Sequence, residues 1–487
     1  MTGLAWCFEH SYAQLPGVFF SHQAPAVPPS PRLLMFNDRL ARDLGLSRGE
    51  LDAHQIAAQL SGAQLPEGAS PLAQAYAGHQ FGHFAMLGDG RALLLGEHRT
   101  PDGRLFDIQF KGSGQTPFSR RGDGRAAVGP MLREYLISEA MHALRIPTTR
   151  SLAVVATGDA VFRETVLDGA VLTRIASSHL RVGTFQYAAA RRDDQALDAL
   201  VRYAIARHDP QLEQAERPAL ALLEAVIGRQ VDLMVHWMRV GFVHGVMNTD
   251  NMSIAGETID YGPCAMIDRY DPRAVFSSID HAGRYAWGNQ PAIAQWNLAR
   301  LAEALLPAID PDPDRALPLA ESAIGGFADR YERAFQAMMR AKVGLIDKPR
   351  EGDAPLIDAL FAWMAADEVD YTNTFTGLAA ELGGRPTPWP DSIACRSWIE
   401  RWRERVFAQP GGAVAALATM ARHNPVYIAR NHQVEAALSA WVDRDDRKPF
   451  DRLLAVLSDP YREQPGGAPY AEPAPPSAVP YQTFCGT

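Results

Sequence analysis

The stretch His244-Gly245-Val246-Met247-Asn248-Thr249-Asp250-Asn251, followed nine residues after Asn251 by Asp260-Tyr261-Gly262, decides the reading of this chain. It brings three oxygen-bearing side chains, Asp250, Asn251 and Asp260, into one short segment behind a histidine. Magnesium takes oxygen ligands and keeps substrate phosphates in its shell, so one carboxylate and one amide oxygen are an ordinary protein contribution. Asp250, beside the amide, is placed to take a proton from an incoming hydroxyl. Taken alone, Asp260-Tyr261-Gly262 is most often only a turn. Following H-x-x-x-x-x-D-N and a long helical stretch, a turn alone no longer accounts for it.

The spacing matches the catalytic and metal-binding segments of protein kinases, H-R-D-L-x-x-x-N and D-F-G. On that template His244 stands for the His, Asn251 for the Asn, and Asp260-Tyr261-Gly262 for D-F-G. The base position is Val246, and a valine cannot accept a proton. The chain is therefore either inactive or uses the nucleotide and metal machinery for different chemistry.

Working outward, Arg91–Glu97 and Leu105–Lys111 alternate as strands joined at Pro101-Asp102-Gly103. Pro130 opens a helix running to about Leu144, with Pro147 beyond it. Ser151–Val155 and Ala170–Ile175 read as further strands. Helical patterns follow Gln195, including Leu220–Val240, Ile293–Leu306, Ala323–Ala341 and Trp398–Phe407. Leu34–Ala63 also has helical periodicity. The predicted fold class is α+β: a two-lobed protein-kinase-like fold with an N-terminal extension and a mostly helical C-terminal lobe. The expected divisions are residues 1–70 for the extension, 71–190 for the N-lobe, 191–445 for the C-lobe and 446–487 for a Pro- and Gly-rich tail containing Cys485.

Several N-lobe residues suit a polyphosphate. Gly88-Asp89-Gly90-Arg91 between strands lets backbone N–H groups approach a nucleotide, although such a turn is usually only a hairpin. Lys111 ends a strand where kinases place their phosphate-gripping lysine. Its partner is expected on the next helix. Glu134, at the edge of the apolar face formed by Leu132, Tyr135, Leu136 and Ala140, is preferred; Glu139 is expected in solvent. The loop from Lys111 to Arg125, with Asp123 and Gly124, is rich in glycine, hydroxyls and arginine. Arg174 and Arg181 flank Ser177-Ser178-His179 where the β-rich part ends, and two arginines in a cleft would neutralise phosphate charge.

Composition sets the boundaries. A chain of 487 residues with 47% hydrophobic and 21% charged residues is ordinary for a globular protein. A net charge of −9 argues against a general nucleic-acid binder. No apolar run reaches the roughly 18 residues of a spanning helix, and the first residues lack a basic and then apolar leader pattern. The four cysteines, Cys7, Cys264, Cys395 and Cys485, show no zinc or disulfide spacing. A cytoplasmic location with no membrane or nucleic-acid partner is the expectation; oligomeric state is not legible.

Wider motifs sharpen this. Tyr76-Ala77-Gly78-His79-Gln80-Phe81-Gly82, Leu87-Gly88-Asp89-Gly90-Arg91, Gln109-Phe110-Lys111-Gly112-Ser113-Gly114, Thr116-Pro117-Phe118-Ser119-Arg120, Arg133-Glu134-Tyr135, Phe242–Asn251 and Ile259-Asp260-Tyr261-Gly262-Pro263 resemble the selenoprotein O family over nearly the whole chain. The resemblance implies a kinase-like fold that binds ATP in reversed orientation and transfers AMP to protein hydroxyls, with Mg²⁺ or Mn²⁺. It also allows UTP as donor with manganese. It implies nucleotide contacts from Gly88, Gly90, Arg91, Lys111, Asp123, Gly124, Arg174 and Arg181, metal ligation by Asn251 and Asp260, Asp250 as proton acceptor, and a Glu134–Lys111 ion pair. Cys485 stands near the place of the family's C-terminal selenocysteine and can pair with Cys264 on oxidation. The alternatives are a kinase acting on a protein or small molecule, with Asp250 as base, and a non-catalytic nucleotide-binding scaffold.

Overall fold

The computed structural model describes residues 3–477 and 481–484. Its β-rich lobe is built on one antiparallel sheet. The strands are β1 (Phe8–Glu9), β2 (Phe20–His22), β3 (Arg32–Phe36), β4 (Leu72–Gln74), β7 (Ala92–Arg99), β8 (Leu105–Lys111), β9 (Ala126–Ala127), β10 (Arg150–Phe162) and β11 (Val166–Ala176). The path runs β2-β4-β7-β8-β11-β10-β3, with β1 on β7 and β9 on β11. A separate hairpin, β5 (Ala77–Gln80) and β6 (His83–Met86), stands between the sheet and the helical lobe. The first 70 residues are continuous with this lobe. They supply β1, β2 and β3, and two helices, α1 (Asp38–Asp43) and α2 (Ala53–Ser61). The helical pattern from Leu34 thus begins one element late, because Arg32–Phe36 form β3, which pairs with β10.

Strand periodicity explains how the sheet serves two cores at once. Alternate residues point to opposite faces. Ile108 and Phe110 of β8 join Val171 and Ile175 of β11 in a cluster with Leu40 of α1 and with Leu44, which caps that helix. The intervening residues, Gln109, Lys111, Leu172 and Arg174, therefore face the other way. That side is covered by α3 (Val128–Ala143), whose Met131, Leu132, Tyr135 and Leu136 join the main core with Leu94 and Leu172. Glu139, expected in solvent, is instead turned to Arg150 on β10 and bonded to its guanidinium at 2.6 and 2.8 Å. The short α3–β10 connection brings the two together.

The helical lobe begins with α4 (Val182–Ala190), before Gln195, and continues with α5 (Asp194–His208), α6 (Pro218–Val240), α7 (Gln290–Ile309), α8 (Pro313–Gly325) and α9 (Phe327–Lys342). The pattern over Ala323–Ala341 is thus divided between two helices meeting at Gly326. A second core gathers Trp398 and Trp402 with Met339, Leu360 and Phe375. Among the described residues, no helix is long and apolar enough to cross a membrane.

Candidate functional site

α6 ends at Gly241, in the left-handed conformation, and delivers the chain into the His244 loop. His244 is fully buried and stacks on Trp237. Its Nε2 lies 2.9 Å from the carbonyl oxygen of Ile259, and its backbone N–H donates to Gln290 Oε1. One side chain thus ties the first motif to the residue before Asp260. Val246 is buried, and its carbonyl accepts from Asn251 Nδ2 at 3.0 Å. At the place where a kinase keeps its base, this chain has an apolar side chain and a carbonyl that orients the neighbouring amide.

Asp260 is the hub of the site. Its φ of 64° is left-handed, a conformation that aspartate tolerates better than most residues. Oδ1 accepts from Lys111 Nζ at 2.7 Å and from Arg174 Nη2 at 2.6 Å; Oδ2 accepts from Arg181 Nη1 at 2.8 Å. Glu134 binds two of the same cations, Lys111 at 2.7 Å and Arg174 through Nε at 3.0 Å and Nη2. The face-sharing of Lys111 and Arg174 is fixed by register, since Lys111 pairs with Leu172 and Gln109 with Arg174. Burial alone would raise the carboxyl of Asp260, but Arg174, Lys111 and Arg181 outweigh it and hold it well below the usual range. Burial, with Arg174 adjacent, pulls Lys111 below an ordinary lysine. The result is three cations converging in a mostly buried cleft, with their charge answered by two carboxylates.

Asp250 sits on a short 3₁₀ turn, Thr249–Asn251, beside this cluster. Its backbone carbonyl accepts from Arg181 Nη1 at 2.6 Å. Of its carboxylate, Oδ2 faces Gln80 Nε2 at 3.4 Å, and Oδ1 is buried without a hydrogen-bond partner. Burial pushes its carboxyl up to about 6. That value suits a group that takes up a proton near neutrality. The β5–β6 hairpin holds it there: the N–H of His79 donates to Thr249 Oγ1 at 2.7 Å, and that of Phe81 to Asn248 Oδ1 at 3.0 Å. A Cβ on Gly78 would lie 2.1 Å from Asp250 Oδ1, so only glycine lets the strand pass this close.

The remaining predicted residues fall at different distances from this centre. Arg91 shares a cleft of about 460 Å³ with Lys111, Glu134 and Tyr261. Gly88 and Gly90 lie beneath the 112–125 loop, where a Cβ on Gly88 would strike the Phe118 ring at 2.4 Å. The carbonyl of Gly124 closes that loop by accepting from the N–H of Gly114. Asp123 is on the rim, paired with Arg163 at 2.8 Å, and does not meet the cation cluster. Cys264 is buried, bonded through Sγ to the Tyr261 carbonyl at 3.7 Å, and pushed up to about 11 by burial. Cys485 lies outside the described residues.

Four further side chains stand at the site without a sequence signal of their own. Asp89 is buried, accepts from Gln74 N–H and Gln109 Nε2, faces Arg181 at 3.9 Å and is raised to about 6 by burial. Tyr76 carries the Arg181 guanidinium over its ring at 4.7 Å. Gln80 reaches Asp250, and Gln109 reaches Arg174. All four lie within the motifs quoted above, but no local pattern assigns them a role.

A lysine–glutamate pair between strand and helix, an H-x-x-x-x-x-D-N loop and a D-Y-G turn define a protein with the layout of a kinase and no aspartate at the usual base position. The family profile described as Protein adenylyltransferase SelO matches residues 4–458. Relatives named Protein nucleotidyltransferase YdiU are 56% identical in Methylorubrum populi, over the whole of both chains, and 55% identical in Bacillus cytotoxicus, over 99% of this chain and 98% of the relative. Another, from Geobacillus kaustophilus, is 56% identical over 99% of each. The chain belongs to the SelO protein adenylyltransferase family. Among solved structures, ROP2 from Toxoplasma gondii, described as having a protein-kinase fold and no enzymatic activity, aligns with 61% of this chain and 84% of its own. Its TM-score of 0.26 and 10% identity are too low to weigh.

Proposed function

We propose that this protein transfers AMP from ATP to serine, threonine or tyrosine hydroxyls of other proteins. The observation that carries the reading is the unpartnered Oδ1 of Asp250 beside the cluster of Lys111, Arg174 and Arg181. The cations lie deep, which suits inward β and γ phosphates and an α-phosphorus turned toward Asp250. Asp260 and Glu134 answer the cationic charge, and a bound polyphosphate would share that role. The acceptor oxygen then attacks the α-phosphorus, the bond to the bridging oxygen breaks, and pyrophosphate leaves with its negative charge on the three cations. Asp250 takes the hydroxyl proton on Oδ1.

Asn251 and Asp260 would hold Mg²⁺ or Mn²⁺. With Nδ2 of Asn251 fixed on Val246, its Oδ1 is the atom left to ligate, and one carboxylate with one amide suits an ion that completes its shell with phosphate oxygens. When bound, the metal neutralises phosphate charge. Arg91, Gly88, Gly90 and Gly124 belong to the nucleotide side in this reading, and Asp123 to its rim.

Labelled ATP tests it. Transfer to protein from α-labelled but not γ-labelled ATP is expected; the reverse pattern identifies a kinase, and no transfer of either label a scaffold. The same assay with α-labelled UTP and Mn²⁺ reads donor choice.

A further inference from the structure

The β5–β6 hairpin that holds Asp250 has one edge covered and one edge open. On the covered side, the His79 N–H is used by Thr249. Because His79 bonds away from β6, the pair His79–Phe84 is a non-hydrogen-bonded pair of the ladder, and so is Ala77–Met86 two residues on. The backbone N–H and C=O groups of Phe84 and Met86 therefore point outward from β6. β6 pairs only with β5, and among the described residues no hydrogen bond reaches those groups.

The side chains on this edge are also open. Phe84 is 45% and Met86 44% exposed, although both are large and apolar. They share a face with His79, whose ring meets Phe84 at 5.2 Å and Trp296 at 5.3 Å. The opposite face of the hairpin, through Gly78 and Gln80, is turned to Asp250. At the hairpin tip stands Arg284. A Cβ on Gly82 would lie 3.9 Å from its Cζ, the guanidinium rests over Trp296 at 4.7 Å, and its Nε is buried without a hydrogen-bond partner. Among the described residues no carboxylate forms an ion pair with it, whereas Arg300, on the same indole, is paired with Glu303.

We infer that the outer edge of β6 is the docking strip for an extended segment of the acceptor protein, which adds as a third strand. Main-chain hydrogen bonds to Phe84 and Met86 supply affinity, and alternate side chains supply selectivity. The segment is one with apolar residues at alternate positions, to cover Phe84 and Met86, and a carboxylate placed for Arg284. An added strand lies two strand spacings, about 10 Å, from β5. The hydroxyl residue that reaches Asp250 thus flanks the docked stretch and is not part of it. This assignment rests on the AMP-transfer reading above.

The test uses the full chain, α-labelled ATP with Mg²⁺, and an array of short peptides each holding one Ser, Thr or Tyr. The wild type is expected to label peptides with alternating apolar residues and a nearby carboxylate. Phe84→Pro and Met86→Pro each remove one outward N–H and spare the β5–β6 ladder. Each should raise the peptide KM roughly tenfold, the equivalent of one lost hydrogen bond, with ATP affinity unchanged. The double variant Phe84→Ser with Met86→Ser keeps every N–H and should raise KM through lost apolar cover; it carries the test if the prolines fail to fold. Arg284→Glu should shift the labelled set toward basic peptides. Unchanged KM in folded variants, with the wild type active, overturns the docking strip and leaves the AMP reading standing. No AMP transfer by the wild type overturns both. A wild-type dimer that Phe84→Pro converts to monomer at unchanged KM would assign the edge to a second copy of this chain and overturn the proposal.

Discussion

Asp250 is buried and Asp260 partly buried beside the same arginines, yet they are driven in opposite directions. Asp260 touches three cations directly and is held as a carboxylate. Asp250 receives only Gln80 on its side chain, so burial dominates and lifts it to about 6. In the proposed reaction, two carboxyls separated in this way would divide charge-holding and proton transfer between them. A base works when deprotonated, so transfer should fall as pH drops through about 6, with a slope in log kcat/KM that Asp250→Asn abolishes. That variant should lose about 10²–10⁴-fold in rate and keep ATP binding by calorimetry. A wild-type profile flat from pH 5 to 8 would remove Asp250 from the role.

At the scale of elements, the site is a meeting of pieces that are remote in sequence. The β5–β6 hairpin is the piece that holds Asp250 in place. Gly78→Ala would force a methyl group into Asp250 Oδ1, and the displaced carboxylate should cost transfer about 100-fold. Nucleotide affinity and melting temperature should change far less; a variant with wild-type turnover would show that the hairpin does not position Asp250. A second joint lies where β11 leaves the sheet. Glu257 accepts from the Ser177 N–H at 3.0 Å and from its hydroxyl at 2.6 Å, tying the strand end to the loop that carries Asp260. Burial raises Glu257 to about 7, above its ordinary 4.5. Between those values the unfolded chain has released a proton that the folded chain keeps, so stability falls as pH rises from about 4.5 to about 7 and is flat beyond. Glu257→Gln should match the wild type at pH 4.5 and exceed it at pH 8, by roughly 3 kcal/mol in urea unfolding, the equivalent of a carboxyl moved from 4.5 to about 7. Parallel curves for the two proteins would contradict this.

Over the whole molecule, two lobes share one cleft, and the segment after Asp260 is fastened from a distance. Thr483 donates through Oγ1 to the Pro263 carbonyl at 2.7 Å and through its N–H to that of Phe276. In the helical lobe, Lys342 is buried at the end of α9, where its Nζ donates to the Arg239 carbonyl at 2.8 Å and lies over the Phe375 ring at 3.8 Å. Burial, with Arg239 nearby, pulls it well below an ordinary lysine. Below its unfolded value the unfolded chain holds a proton that the folded chain has shed, so this group's contribution to stability rises with pH toward the alkaline side. Lys342→Met should remove that rise and stabilise the lobe at pH 7 by roughly 1–3 kcal/mol. Identical pH dependence in the two proteins would mean that Lys342 remains charged in the folded state.

The local pieces are legible in the order of residues along the chain. Period-two alternation marked β7, β8, β10 and β11, and prolines and glycines marked the bounds of α3. Residue chemistry and spacing singled out Lys111, Glu134, Asp250, Asn251 and Asp260, because each lies inside a motif that is legible within a few residues. What these groups do to one another depends on which distant segments the fold brings together. The collapse of Lys111, Arg174 and Arg181 onto Asp260 follows from strand register and a loop crossing, which connect positions 149, 86 and 79 residues apart. The burial of Glu139 against Arg150, the rim position of Asp123, and Gly78 beneath Asp250 likewise depend on which elements meet. Long-range burial and charge set the proton affinity of Asp250, and no window of neighbouring residues contains them.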